Sequence, residues 1–312
     1  MRIFLAGATG VIGRSLVPAL IRAGHDVVGT TRSASKAGPL AAAGAEAVVV
    51  DALDPEAVRA AVVKARPEVM IHQLTSIGAA NFKDVDAAFA ATNELRTSGL
   101  DHLLAGARAA GARRFIAQSF TGWPNQRSGG MVKTEEDPLD TRPATRSQNT
   151  LAAIRYVEQT VPVANGLDGV VLRYGFFYGP GTAIGMGGEI VNLVARRRMP
   201  IVGGGAGVFS FVHIDDAAAA AVAALRRGAR GTYNIVDDDP APVAVWLPYL
   251  AATIGAKPPR RMPAWLARPI VGEFGVNMMT AMRGSSNAKA RRELGWTPIY
   301  SSWRDGFRRG FG

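Results

Sequence analysis

Short, almost wholly apolar runs alternate with amphipathic segments along most of this chain. Runs of this kind are typical of strands that are buried on both faces of a parallel sheet. The pattern predicts strands at 2–6, 26–31, 47–50, 69–73, 114–119, 169–173 and 231–236. Helical periodicity predicts helices at 11–23, 55–65, 85–110, 147–161 and 215–225. Repeated strand–helix–strand units predict an α/β fold with a doubly wound parallel sheet.

A glycine-spaced loop joins the first predicted strand to the first helix. It reads Gly-Ala-Thr-Gly-Val-Ile-Gly over residues 7–13. Glycine permits a tight turn and a close backbone approach, and the helix N-terminus offers unpaired N–H groups and a positive dipole end. The junction predicts a Rossmann-type dinucleotide site with contacts from Gly7, Thr9, Gly10, Val11, Ile12 and Gly13.

The regular alternation weakens after residue 173. Two glycine-rich stretches, 179–188 and 203–207, precede a tail rich in proline and tryptophan. This composition predicts short helices and loops, which form a smaller C-terminal lobe. We therefore expect a cofactor domain made of residues 1–173 and 214–236, and a substrate lobe made of residues 174–213 and 237–312.

Composition narrows the classes of protein. The chain has 312 residues, 48% of them hydrophobic, which is enough for one large core. It has no cysteine, and its four histidines lack ligand spacing, so disulfides, thiolate chemistry and a metal site are not expected. No apolar run reaches the roughly 18 residues of a membrane span, and we expect a cytoplasmic enzyme.

The formal net charge of +11 comes largely from scattered basic pairs such as Arg113-Arg114 and Arg226-Arg227. The chain has no basic stripe with interleaved aromatic residues, so a solvated surface is favoured over a nucleic-acid site. Part of the charge is free to serve an anionic cofactor.

The residues after the second predicted strand distinguish between the nicotinamide cofactors. NAD sites of this fold place a carboxylate about 20 residues beyond the glycine loop, whereas this chain reads Thr30-Thr31-Arg32-Ser33. Arg32, with Lys36 one helical turn later, is suited to clamp a 2′-phosphate, which predicts NADP rather than NAD. The alternative is that both cations only solvate a helix start.

Further cofactor contacts are expected at the carboxyl ends of the strands, where ligands bind in open α/β sheets. Asp51 is placed to accept a hydrogen bond from an adenine amino group, or it forms a helix-entry turn with Asp54. Arg173 is suited either to an anionic ligand group or to bracing the pocket. The predicted contacts, beyond the loop and the cations, are Ser33, Asp51, Ala52, Leu53, Gln73, Leu74, Thr75, Asn93, Gln148 and Arg173.

Several further motifs follow the glycine loop in a familiar order. They are Asp51, Asn93, Ser119 and the segments 172–174, 178–181, 211–216, 231–234 and 289–298. On these residues the chain resembles an extended short-chain dehydrogenase/reductase of the NAD-dependent epimerase/dehydratase type, over nearly its whole length. The resemblance implies a nicotinamide cofactor, a small-molecule substrate and a homodimer through helices 85–110 and 147–161, although these helices are equally suited to pack within one subunit.

The chain departs from the family at the proton donor. Family members use Tyr-x-x-x-Lys on the helix after the fifth strand, where positions i and i+4 share one face and the ammonium lowers the pKa of the phenol. Aligned on Pro143 and Ser147, the tyrosine falls on Ala144 and the lysine on Gln148. The usual acid is therefore absent, as in atypical family members, while Gln148 is still suited to bind a ribose.

Four other side chains are candidates for the chemistry, namely Ser119, Tyr174, Tyr178 and Lys133. Ser119 is placed to stabilise a developing oxyanion, or it caps a turn at the end of a strand. Either Tyr174 or Tyr178 donates the proton in place of the absent family tyrosine, or both side chains only line the pocket. Lys133 acts as an acid or base if it is desolvated, or it belongs to an exposed, salt-bridged loop with Glu135, Glu136 and Asp137.

Two histidines lie near the predicted crevice. We interpret His72 as a core histidine rather than a ligand-binding one. His213 is interpreted as structural or substrate-lining, and Asp216 is expected to cap the helix that follows.

The leading hypothesis is an NADP(H)-dependent oxidoreductase that transfers hydride to or from a small organic carbonyl or an activated alkene. One alternative is a sugar-nucleotide epimerase or dehydratase, whose first step most needs the absent tyrosine. The other is a non-catalytic, redox-sensing binder of NADP(H).

Overall fold

This computed structural model describes residues 1–77 and 83–311, and strands and helices alternate regularly only in its N-terminal part. The strands are β1 (Arg2–Ala6), β2 (Asp26–Thr31), β3 (Glu46–Val49), β4 (Val69–His72), β5 (Arg114–Phe120), β6 (Val132–Lys133), β7 (Asp168–Tyr174), β8 (Phe176–Tyr178), β9 (Ile201–Val202), β10 (Val208–Phe209), β11 (Phe211–His213), β12 (Gly231–Ile235), β13 (Ala241–Pro242), β14 (Arg261–Met262) and β15 (Gly284–Ser285). The helices are α1 (Val11–Arg22), α2 (Ala37–Ala42), α3 (Pro55–Ala65), α4 (Val85–Ala88), α5 (Ala90–Arg96), α6 (Ser98–Ala109), α7 (Gln148–Thr160), α8 (Glu189–Ala195), α9 (Ile214–Ala223), α10 (Val243–Thr253), α11 (Ala264–Thr280) and α12 (Trp303–Phe311).

Seven parallel strands form the central sheet, in the order β12-β7-β5-β4-β1-β2-β3. Helices α1 and α9 pack on one face, and α3, α6 and α7 pack on the other. The strand order reverses between β1 and β4, where the carboxyl ends of the strands open into a crevice. The prediction of an α/β, doubly wound parallel sheet is confirmed.

The single long helix predicted at 85–110 is wrong. Three helices, α4, α5 and α6, occupy this stretch, with breaks at Phe89 and Thr97. Thr97 has ψ −90°, and its hydroxyl donates to the carbonyl oxygen of Asn93 at 2.9 Å. A threonine hydroxyl that bonds the backbone of the preceding turn competes with the regular helix and bends it.

A separate hydrophobic core lies beyond the main sheet. Its largest fully buried members include Trp246, Trp303, Phe211 and Phe307. Aromatic side chains of this size each bury about 150–250 Å². A few of them therefore suffice to form a core, although the strands around them are short. This core matches the predicted lobe in composition, while the domain boundaries themselves stay a prediction. No helix in residues 1–77 and 83–311 is both long and apolar enough to cross a bilayer.

Candidate functional site

The loop between β1 and α1 fits tightly against the end of β4. Gly7 has φ +95°, and a Cβ there would lie 2.8 Å from the carbonyl carbon of Gln73. A Cβ on Gly13 would collide with the carbonyl oxygens of Gly7 and Ala8. Gly10, at the start of α1, gives its first turn no side-chain cap, so the N–H groups of that turn are open to a diphosphate. This cradle fits a dinucleotide.

The residues after β2 present positive charge next to the glycine loop, since the Oγ1 atoms of Thr9 and Thr31 are 3.5 Å apart. Arg32 and Lys36 are exposed, and neither makes an ion pair or side-chain hydrogen bond with another described residue. The Oγ1 atom of Thr31 accepts from the N–H of Ser33 at 3.2 Å, which fixes the turn that carries Arg32. The two cations are therefore free for an anionic ligand group.

Asp51 follows β3, the edge strand that pairs with β2. Its Oδ1 accepts from the N–H of Leu53 at 3.1 Å, and Asp54 caps α3 by accepting from the N–H of Ala57 at 3.0 Å. The helix-entry turn with Asp54, which is the alternative role predicted for Asp51, is therefore present. The adenine contact of Asp51 stays a prediction, with the contacts of its neighbours Ala52 and Leu53.

Two buried amide oxygens, on Gln73 and Asn93, have no hydrogen-bond partner among residues 1–77 and 83–311. Gln73 donates from Nε2 to the hydroxyl of Tyr174 at 3.2 Å, and Asn93 donates from Nδ2 to the Oγ1 of Thr150 at 3.1 Å. The Oε1 of Gln73 and the Oδ1 of Asn93 are left unpartnered. Because buried polar atoms normally have a partner, these oxygens fit a ligand that brings N–H or O–H donors, as a nicotinamide ribose and carboxamide do.

Ala144 lies four residues before α7, at the position where the alignment on Pro143 and Ser147 predicts the family tyrosine. Its side chain is buried, whereas Gln148, the first residue of α7, is exposed. Ala144 lines a pocket between the main sheet and the C-terminal lobe whose free volume is about 20 Å³. The other lining residues are Trp123, Arg127, Asp140, Pro143, Ser147, Phe274, Asn277, Met278 and Met282.

Ser119 belongs to an ionic network on the α7 face of the sheet. Its Oγ donates to the Oε1 of Glu158 at 2.7 Å. Glu158 also accepts two hydrogen bonds from Arg173, at 2.7 and 2.6 Å, and both side chains are less than a tenth exposed. The hydroxyl hydrogen of Ser119 is therefore engaged by a carboxylate, and its oxyanion role stays a prediction.

Sequence reasoning missed Glu158, the acceptor at the centre of this network, and Arg96, a buried cation that is stabilised by the charge of Glu158. Arg96 on α5 is buried, and its Nε and Nη1 atoms have no partner in the described part of the chain. Burial lowers its pKa to about 10, while the negative charge of Glu158 acts in the opposite direction. The signal for Glu158 was its place on the inner face of α7, four residues after the buried Ile154. A charged residue in such a stripe predicts a buried partner.

The other catalytic candidates, Tyr174, Tyr178 and Lys133, are also buried. Burial raises the pKa of Tyr174 and, together with the nearby carboxylate of Asp237, that of Tyr178. The hydroxyl of Tyr178 has no hydrogen-bond partner among the residues that the structure describes. Lys133 is buried and donates from Nζ to Asp137 at 3.0 Å. The salt bridge foreseen for this loop is present, although the lysine is not exposed, and the acid or base roles of these residues stay predictions.

The two histidines have local structural roles. The Nδ1 of His72 accepts from the N–H of Leu74 at 3.2 Å, and burial lowers the pKa of His72 to about 4, so the ring is neutral. His213, not Asp216, caps α9 by accepting from the N–H of Asp215. The capping role predicted for Asp216 is wrong, because its carboxylate accepts instead from the N–H groups of residues 299 and 300.

Proteins of known description share both sequence and fold with this chain. A 3-diazoavenalumate denitrifying reductase from Streptomyces sp is 47% identical over 312 residues, which are 99% of this chain and 100% of that protein. A 2-alkyl-3-oxoalkanoate reductase from Stenotrophomonas maltophilia is 28% identical over 270 residues, which are 82% of this chain and 76% of that protein. A UDP-glucose 4-epimerase from Thermotoga maritima superposes with a TM-score of 0.77 at 22% identity, covering 100% of this chain and 97% of that one, and it shares the fold.

A family profile matches most of the chain. Residues 3–236 fit the family described as NAD dependent epimerase/dehydratase. Together with the reductase relatives, this match supports an oxidoreductase enzyme that uses a nicotinamide dinucleotide and acts on a small molecule. The cradle described above stays the predicted site of that cofactor, and the chain belongs to the NAD dependent epimerase/dehydratase family.

Proposed function

We propose that this protein is an NADPH-dependent reductase whose substrate accepts a hydride without a proton from the enzyme. The observation that carries the proposal is Ala144, a buried methyl side chain that lines the pocket and takes the position predicted for the family tyrosine. When bound, NADPH supplies the hydride. A substrate that is reduced by hydride alone takes up no proton, so its reduction does not need the tyrosine that serves as the acid in the family.

An arenediazonium cation is such a substrate. Addition of hydride and loss of dinitrogen convert it to an arene: the carbon–nitrogen bond breaks, a carbon–hydrogen bond forms, and the positive charge is cancelled with no proton consumed. The 47% identical relative is named as a denitrifying reductase of a diazo compound, which supports this class. The 28% identical relative is named as a reductase of an oxoalkanoate, which keeps a carbonyl or activated alkene as the second candidate.

The residues of the chain have separate tasks in this proposal. The glycine cradle binds the diphosphate, and Arg32 with Lys36 binds the 2′-phosphate. The unpartnered oxygens of Gln73 and Asn93 orient the nicotinamide end by accepting hydrogen bonds. The pocket at Ala144 holds the substrate and excludes water, which protects a reactive cation from hydrolysis.

A turnover assay tests the reaction. The purified protein is mixed with NADPH and a benzenediazonium salt, and dinitrogen release, arene formation and loss of NADPH absorbance are followed against a protein-free reaction. We expect dinitrogen and arene to form, and NADPH to be consumed, at the same rate and in equal molar amounts. Turnover of ketones, quinones or enones without the diazonium salt would instead favour the second candidate, and silence on the whole panel despite NADPH binding would favour the redox sensor.

The cofactor preference is tested at Arg32. Hydrogen bonds to charged groups contribute about 1.5–3 kcal/mol, so Arg32→Ala is expected to weaken NADPH binding roughly 10- to 100-fold and to leave NADH binding unchanged. Fluorescence titration with both cofactors measures this, with Arg59→Ala, an exposed arginine on α3, as the matched control. Equal loss for both cofactors would remove the argument for NADP.

A further inference from the structure

We propose that the pocket beside Ala144 binds a flat aromatic ring that carries a carboxylate, with Trp123 and Phe274 holding the ring and Arg127 pairing with the carboxylate. This inference rests on the proposed function and specifies the substrate of the same site. It assigns the recognition to residues outside the cofactor cradle.

The ring-binding part of the pocket is aromatic and sulfur-rich. Trp123, on the loop after β5, and Phe274, on α11, meet edge to face with ring centroids 5.1 Å apart and planes at 72°. Met278 and Met282 complete this wall. Thioethers make favourable contacts with ring edges, and the electron-rich faces of tryptophan and phenylalanine attract cations. The wall therefore suits an aromatic ring, and most of all an electron-poor or cationic one.

The pocket must open for the ring. Its free volume of about 20 Å³ holds no more than about one water molecule. Met278 and Met282 are unbranched and change rotamer easily. Phe274 and Met278 also lie just after Gly272, whose φ of +71° breaks the helical geometry of α11. Phe274, Met278 and Met282 close the pocket, and they are therefore the side chains best suited to move when a ring enters.

Arg127 supplies the cationic end of the pocket. Its Nε pairs with Asp140 at 3.0 Å, and its Nη2 donates to the carbonyl oxygen of Arg142 at 2.6 Å. The remaining Nη1 makes no hydrogen bond within the described part of the chain. Asp140 is itself occupied, because its Oδ1 accepts from the N–H of Arg142. Arg127 lines the pocket, its side chain is 31% exposed, and two of its nitrogens hold it in place, so its guanidinium is suited to a carboxylate.

Binding of unreactive ligands tests the inference without turnover. Calorimetric titrations, with and without NADP⁺, compare cinnamate with cinnamamide, which lacks the charge, and with cyclohexanecarboxylate, which lacks the aromatic ring. We expect cinnamate to bind at least tenfold more tightly than either, and its advantage over cinnamamide to shrink with added salt. This arm needs no variant and is unaffected by misfolding.

Two matched pairs of variants locate the contacts. Trp123→Leu is expected to weaken cinnamate and cinnamamide equally, at least tenfold, while Trp265→Leu, at an exposed tryptophan, leaves both unchanged. Arg127→Met is expected to abolish the preference for cinnamate, and Arg59→Met to keep it. Equal affinities for the three ligands, or cinnamate binding indifferent to Trp123, would overturn the inference. Cinnamate binding with these signatures but no diazonium turnover would overturn only the proposed reaction.

Discussion

Replacing Ala144 with tyrosine is expected to lower kcat/KM for the arenediazonium substrate by about 100-fold or more. The phenol ring would fill the pocket that the substrate ring needs, since the free volume beside Ala144 is only about 20 Å³. A substrate displaced by about 1 Å already costs about 100-fold in rate. Steady-state kinetics measure the loss, and NADPH titration is expected to give an unchanged affinity because Ala144 is not among the residues of the glycine cradle.

Two further variants distinguish the loss of space in the pocket from the gain of an acid. Ala144→Ser adds a hydroxyl with little volume and is expected to retain most of the activity. The double variant with Gln148→Lys restores the tyrosine and lysine of the family, and it is expected to be as impaired as the single one. A rise in turnover in the double variant, above all with a carbonyl substrate, would contradict an acid-free reaction and favour ordinary carbonyl reduction.

The sheet and the cofactor cradle could be predicted from sequence because their signals are local. Near-continuous apolar runs and the spacing of Gly7 and Gly13 are each contained within a few residues. The breaks in the helices at 85–110 were missed because they depend on where the hydroxyl of Thr97 finds a carbonyl. Periodicity reports which face of a helix is buried and says little about such a competing hydrogen bond.

The pocket and the ionic network could not be predicted because their members are distant in sequence. Trp123 and Phe274 meet only when the loop after β5 packs against α11. Ser119 was placed at the end of its strand, but its partner Glu158 lies on a helix, so a hydroxyl expected to face a substrate is bound to a carboxylate instead. The absence of a tyrosine at Ala144 was visible in the sequence, whereas the pocket in front of it was not.

Removing the carboxylate of Glu158 is expected to destabilise the protein by about 3–5 kcal/mol, the usual cost of breaking a buried ion pair from one side. In Glu158→Ala the guanidinium of Arg173 would stay buried without its two hydrogen bonds. Arg96, whose Nε and Nη1 already lack partners, would lose the nearby negative charge that offsets its burial. Thermal and denaturant unfolding, each followed by circular dichroism, measure the loss against the unmodified protein.

Glu94→Ala, at an exposed glutamate on α5, is the matched control and is expected to change the free energy of unfolding by less than about 0.5 kcal/mol. The double variant Glu158→Leu with Arg173→Met replaces both charges by apolar side chains, and such replacements are often neutral or stabilising. It should therefore be more stable than Glu158→Ala, yet the lone charge of Arg96 keeps it below the unmodified protein until Arg96→Met is added. Equal stability of Glu158→Ala and Glu94→Ala would show that Glu158 is not needed to offset two buried cations.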